Sequence, residues 1–221
     1  LIMLAAIIER RRTALISQWV RDPLVLVQVE APVALPGLVF VDPDGSSAAS
    51  GKLGRRAFTS CALVRGGSDR DSSWSAWVAA DYSSYRAAYL AFIRDAYGIN
   101  ATAADLVGWD VDHLLNRARS PLGSTFIRIE AIPAVANQEW GRLFEKAASN
   151  PQFFANQARQ RRTMSWMICA KLAGQVPPRG PQDAAGITRL VSYFRGLGLP
   201  EAESQQGLSE MLSFACRSGS H

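Results

Sequence analysis

The chain has 221 residues, 48% of them apolar and 19% charged, with six tryptophans, nine phenylalanines and five tyrosines. That is enough apolar and aromatic side chain for an ordinary core, and it excludes a disordered polymer. The net charge of +5 rests on arginine far more than lysine, which suits a phosphate-bearing partner without establishing one. Three widely spaced cysteines, Cys61, Cys169 and Cys216, and a single internal histidine argue against a disulfide framework and a structural zinc site.

Residues 1–20 read as an amphipathic helix, with Leu4, Ile7, Ile8, Leu15, Ile16 and Trp19 on its apolar stripe and Arg10, Arg11 and Arg12 between them. Such a stripe is expected to pack on the domain, with membrane-surface binding the alternative. The apolar run at Leu1–Ile8 is too short to span a bilayer, and its positive charges follow it, so no targeting segment is assigned. Because the chain opens on leucine, a piece of a longer product is one expectation, and a secreted parent carrying a C-terminal toxic module then becomes a possible setting.

Strands are expected over Leu24–Val29 and Gly37–Val41, with Pro32 and Pro36 confining the chain between them to an edge or an extended connection. Asp42–Gly45 is a turn, and Ser46–Arg56 reads as a loop whose glycines and basic residues do not reproduce a phosphate-binding G-x-x-x-x-G-K-[ST] pattern. Phe58–Val64 and Trp74–Val78 complete a small sheet. A helix over Asp81–Tyr97 follows, with Tyr82, Tyr85, Tyr89, Phe92 and Ile93 on its apolar face and Gly98 as its C-cap. Thr102 and Asp105 form a capping-box pattern ahead of Gly108.

The segment Gly108–Glu145 carries the chemistry. Trp109–Leu115 reads as a strand, Asn116–Gly123 as a loop and Thr125–Ile132 as a second strand; a helix then follows, with Asn137 at its N-cap and Trp140, Leu143 and Phe144 at helical spacing. This order brings Asp110, Asp112 and His113 toward Asn137, and Glu145, about two turns on, toward the same helix face. A neutral imidazole beside hard oxygen ligands is what metal-assisted phosphodiester hydrolysis needs.

Asp110-Val-Asp112-His113 and Asn137-Gln-Glu-Trp140-Gly-Arg-Leu-Phe-Glu145 resemble the ββα-metal nuclease superfamily, which includes HNH endonucleases and non-specific nucleases with a D-x-x-H signature. The resemblance covers about 38 residues. It departs from the family pattern in Val111 and Asp112, which replace the usual arginine and glycine, and in lacking a terminal histidine on the helix. The expected fold is α+β: a small sheet and a C-terminal helical bundle read from the residue pattern, around the hairpin-helix core that the resemblance implies. The resemblance also implies a magnesium or manganese ion held by Asp110 or Asp112 with Asn137, His113 as general base, Glu145 orienting a metal-bound water, and Arg117 or Arg119 meeting the phosphate. Strand parity does not choose between Asp110 and Asp112.

Beyond Asn150-Pro151 a helix is expected from Gln152 to Leu172, its first half bearing Arg159, Arg161 and Arg162 as a nucleic-acid-binding cluster. Val176–Pro181 reads as a linker, and Asp183–Leu197 and Glu201–Cys216 as a helical hairpin. The chain divides into 1–80, 81–150 and 151–218, packed as one unit. The expected activity is metal-dependent cleavage of nucleic acid, DNA ahead of RNA, acting in the cytoplasm as a defence nuclease or an antibacterial toxin with an immunity partner, and with no membrane partner. The alternative is a non-catalytic, arginine-bearing module that binds nucleic acid or protein.

Overall fold

Apolar residues recurring every three or four positions from Leu4 to Trp19 build helix α1 (Ile2–Arg21), and all six residues of the expected stripe are buried. The computed structural model describes residues 2–30, 49–120, 125–145 and 161–218. Among these residues, seven strands form one antiparallel sheet: β1 (Leu26–Val29), β2 (Ala49–Lys52), β3 (Cys61–Arg65), β4 (Trp74–Ala79), β5 (Trp109–His113), β6 (Phe126–Pro133) and β7 (Arg162–Thr163). The order is β2-β3-β4-β6-β1-β7, with β5 paired to β6.

Strand β6 organises the sheet. Ile127 pairs with both Val78 of β4 and Gln28 of β1, while Ile129 pairs with both Ala76 of β4 and His113 of β5. One edge of β6 therefore carries β4, and the other carries β1 and β5 in succession. The end of β5 opens where these two neighbours part.

Helix α2 (Tyr85–Tyr97) closes at Gly98, whose φ of 72° suits a residue without a Cβ, and its N–H caps the Arg94 carbonyl. Helix α2 packs with the first half of α1, β3, β4, Val111, Ile129 and Ala131 in one apolar cluster. A second cluster gathers the last half of α1, α3 (Ala134–Trp140), α4 (Trp166–Leu172), α5 (Ala184–Gly196) and α6 (Glu201–Ser218). The expected C-terminal hairpin is present, with Leu190, Phe194, Leu208 and Leu212 buried against Ile168 and Leu172. A Cβ on Gly207 would lie 2.1 Å from the Trp166 indole nitrogen, so only glycine lets α6 approach this closely.

Several boundaries differ from the sequence reading. Residues 49–52 form a strand where a loop was expected, and α2 starts at Tyr85 rather than Asp81. Asn137 is not an N-cap: β6 runs on to Pro133, which caps α3 without a side-chain bond, so Asn137 lies inside the helix. The five residues Gly141–Glu145 continue α3 as a π turn. Arg162 belongs to β7 rather than a helix, because Ser165 caps α4 by accepting from the Ile168 N–H. The expected strand at 37–41, Arg159 and the helix over 152–160 lie outside the described residues. The sheet draws β1 to β4 from 1–80, β5 and β6 from 81–150, and β7 from 151–218, so these three segments share one sheet.

The arginine triplet of α1 is spent on the protein itself. Arg10 pairs with Asp71 at 2.8 Å, and Arg12 donates to the Leu172 carbonyl and to Glu9. Arg11 is buried, holding both oxygens of Glu130 at 2.6 and 3.3 Å, and Arg128 closes on the same carboxylate at 2.8 Å. Arg11 also donates to the carbonyls of Arg70 and Trp74 and to the Tyr97 hydroxyl, tying α1 to β4, β6 and α2. Among the described residues no helix is long and apolar enough to cross a membrane.

Candidate active site

The segment from β5 to α3 has the expected order: two antiparallel strands, Trp109 pairing with Pro133 and His113 with Ile129, then a helix entered directly from β6. Alternation along β5 separates its side chains. Val111 and His113 point to the α2 side, where Val111 joins the core and the His113 ring lies 4.5 Å from that of Tyr85. Asp110 and Asp112 point the other way. Both faces meet at the open end of the strand, in a cavity of about 340 Å³ lined by Ser83, Tyr85, Asp112, His113, Asn116, Arg117 and Glu145.

His113 is 5% exposed, and its Nε2 has no hydrogen-bond partner. Burial lowers its pKa to about 4; the neighbouring Asp112 carboxylate opposes that shift, while Arg117 adds to it. The imidazole is therefore neutral at pH 7, with its buried Nε2 unpartnered. Asp112 turns its Oδ1 back to accept from the His113 backbone N–H at 2.8 Å, which fixes the strand end that presents the ring. Tyr85 packs against the ring from α2.

The sequence reading missed the residue that joins the two carboxylates of this cavity. Lys171, on α4, is 2% exposed, and its ammonium sits 2.5 Å from Glu145 Oε1 and 3.3 Å from Asp112 Oδ2. Burial alone would lower its pKa, but Glu145 and Asp112 outweigh burial and raise it, so the amine stays charged. A signal was available: Lys171 is the one charged residue in the apolar helix Trp-Met-Ile-Cys-Ala-Lys-Leu, and a buried lysine requires a partner.

The remaining expected site residues are not gathered there. Asp110 and Asn137 pair with each other, Asn137 Nδ2 donating to Asp110 Oδ2 at 3.3 Å with Gln138 beside it at 3.5 Å. Asp110 lies about 10 Å along the strand from His113, and neither it nor Asn137 lines the cavity. Arg117 lines the cavity and is exposed. Arg119 lines a separate cavity of about 390 Å³ with Arg161, Arg162, Thr163 and Ser165, where burial first and then the charge of Arg162 lower its pKa while Glu145 opposes them. Arg161 is paired with Glu30.

A divalent ion held by Asp110 or Asp112 with Asn137 does not fit beside His113. Asn137 Oδ1 is buried without a partner, yet it belongs to the Asp110 pair, remote from the imidazole. Asp112 and Glu145 are near the imidazole, but a buried ammonium already lies between them. Among the described residues no group of three or more His, Cys, Asp and Glu side chains is placed to hold a metal ion. Comparison with protein families, with curated proteins and with solved structures finds no match for this chain.

Proposed function

We propose that the His113 cavity hydrolyses phosphodiester bonds of a nucleic acid, DNA ahead of RNA. The observation that carries this reading is a buried, neutral histidine with an unpartnered Nε2, in the wall of a cavity shared with two carboxylates and an arginine. His113 takes a proton from a water as that water's oxygen bonds to phosphorus. The bond from phosphorus to the leaving oxygen breaks, the leaving oxygen takes a proton from solvent, and His113 later returns its own. Arg117 meets the charge on the phosphate oxygens. Glu145 orients the water, and Asp112 and Tyr85 hold the imidazole.

At a pKa near 4 the free imidazole is a weak base. An anionic phosphate entering the cavity favours the imidazolium and raises that value as the substrate binds. The +5 net charge supports a polyanionic substrate, and the resemblance of Gly108–Glu145 to ββα-metal nucleases supports this reaction class. A toxin or defence nuclease restrained by an immunity protein is the biological setting that fits such an activity.

The test is degradation of plasmid DNA and of total RNA by the purified protein, with magnesium and with chelator, alongside His113→Ala checked for folding by circular dichroism. Cleavage that disappears in the folded variant supports the reading. A folded wild type that cuts neither nucleic acid under any of these conditions overturns it.

A further inference from the structure

In the described part of the molecule, the two carboxylates at the His113 cavity are bridged from behind by one ammonium. Asp112 comes from β5, Glu145 from the end of the π turn after α3, and Lys171 from α4. Three separate elements thus converge on one ammonium. Its side chain is 2% exposed, against 26% for Asp112 and 15% for Glu145, and it is absent from the cavity lining. The charge is therefore fixed in the protein while the carboxylates face the solvent side. Two carboxylates bridged by a tethered cation carry one net negative charge; without it they would carry two beside an incoming phosphate. A magnesium-sized ion bridging Asp112 and Glu145 would stand against an ammonium within hydrogen-bond reach of both.

We propose that Lys171 is a built-in cation occupying the role that a divalent ion would otherwise take between Asp112 and Glu145, so that cleavage at the His113 cavity proceeds without metal. Lys171 is then a positioning residue: it holds Glu145 and Asp112 in place and lowers their repulsion toward phosphate, without touching substrate. The cleavage part rests on the phosphodiesterase reading. The cation part rests on geometry alone. One consequence follows from charge: taking the amine away leaves the two carboxylates without the cation that bridges them, with Arg117 in the cavity wall and Arg119 acting on Glu145 from further off, and two carboxylates so exposed to each other attract a hard divalent ion.

The experiment titrates manganese into wild type and Lys171→Met, following free ion by electron paramagnetic resonance, and measures nucleic-acid cleavage by both in chelator and in manganese. Wild type is expected to bind no manganese at stoichiometric concentrations and to cleave at the same rate in chelator as in magnesium. Lys171→Met is expected to bind one ion, to lose about tenfold or more in cleavage rate in chelator, and to recover with manganese; Lys171→Arg is expected to stay metal-independent. A stoichiometric manganese ion in wild type, or wild-type cleavage abolished by chelator and restored by metal, overturns the proposal. So does a folded Lys171→Met that binds no ion. If Lys171→Met does not fold, the wild-type titration and Lys171→Arg still decide. If nothing is cut by any form, the phosphodiesterase reading fails while the manganese titration still judges the cation.

Discussion

Two buried ion triads flank the β5–β6 pair, and they are built with opposite signs. In one, Arg11 and Arg128 share Glu130, with side chains 1%, 2% and 4% exposed, and every charge is sealed from water. In the other, Asp112 and Glu145 share Lys171; the cation is sealed, but the anions border a cavity beside His113. Asp112 and Glu130 are even partners across the two strands. Desolvated ions are expensive wherever they lie. A sealed triad serves to lock α1, β4, β6 and α2 together, whereas a triad opened on its anionic side leaves carboxylates available to a reactant. The difference separates a structural triad from the candidate site.

Removing the shared carboxylate of the sealed triad should produce the largest effect. Glu130→Gln leaves two buried guanidinium groups facing each other and is expected to cost about 3–5 kcal/mol of stability, measured by denaturant unfolding. Cleavage per folded molecule should be unchanged. A loss of cleavage by Glu130→Gln with stability intact would erase the distinction between the triads.

A smaller effect belongs to the open region. His113 has a folded pKa of about 4 against an ordinary value near 6.5, so between these values the unfolded chain binds a proton that the folded chain does not. Its contribution, about 3 kcal/mol, is full above pH 6.5 and is lost as pH falls through 4. Thermal unfolding between pH 7 and 4 should show this decline in wild type and a shallower one in His113→Gln. An equal decline in both would place the acid sensitivity elsewhere.

Much of this arrangement was legible in the sequence. The α1 stripe, the strand-loop-strand-helix order around His113, the Gly98 cap and the C-terminal hairpin follow from periodicity and capping, which are local. What failed depended on contacts distant in the chain. Arg11 was read only as lying between the apolar positions of the α1 stripe, and only the fold shows Glu130 waiting 119 residues on. Asn137 looked like a cap because residues after a proline often start a helix; here β6 runs straight into α3, and the helix begins four residues earlier, capped by Pro133. That shift leaves Asn137 on Asp110 and puts Glu145 on Lys171. Arg161 and Arg162 were placed on a helix because the short β7 gains its pairing only from β1. Lys171 lies 59 residues from Asp112, and no spacing rule joins them.

The most direct measurement of the central claim is chemical rescue of His113→Ala by imidazole on whichever nucleic acid the wild type cuts. The variant should lose about 10²–10⁴-fold in rate if the imidazole acts as general base, and added imidazole, entering the space the side chain vacates, should restore part of it with a saturating dependence. An undiminished rate in His113→Ala, with the protein folded, would contradict the account, because the catalytic proton would then pass through some other group.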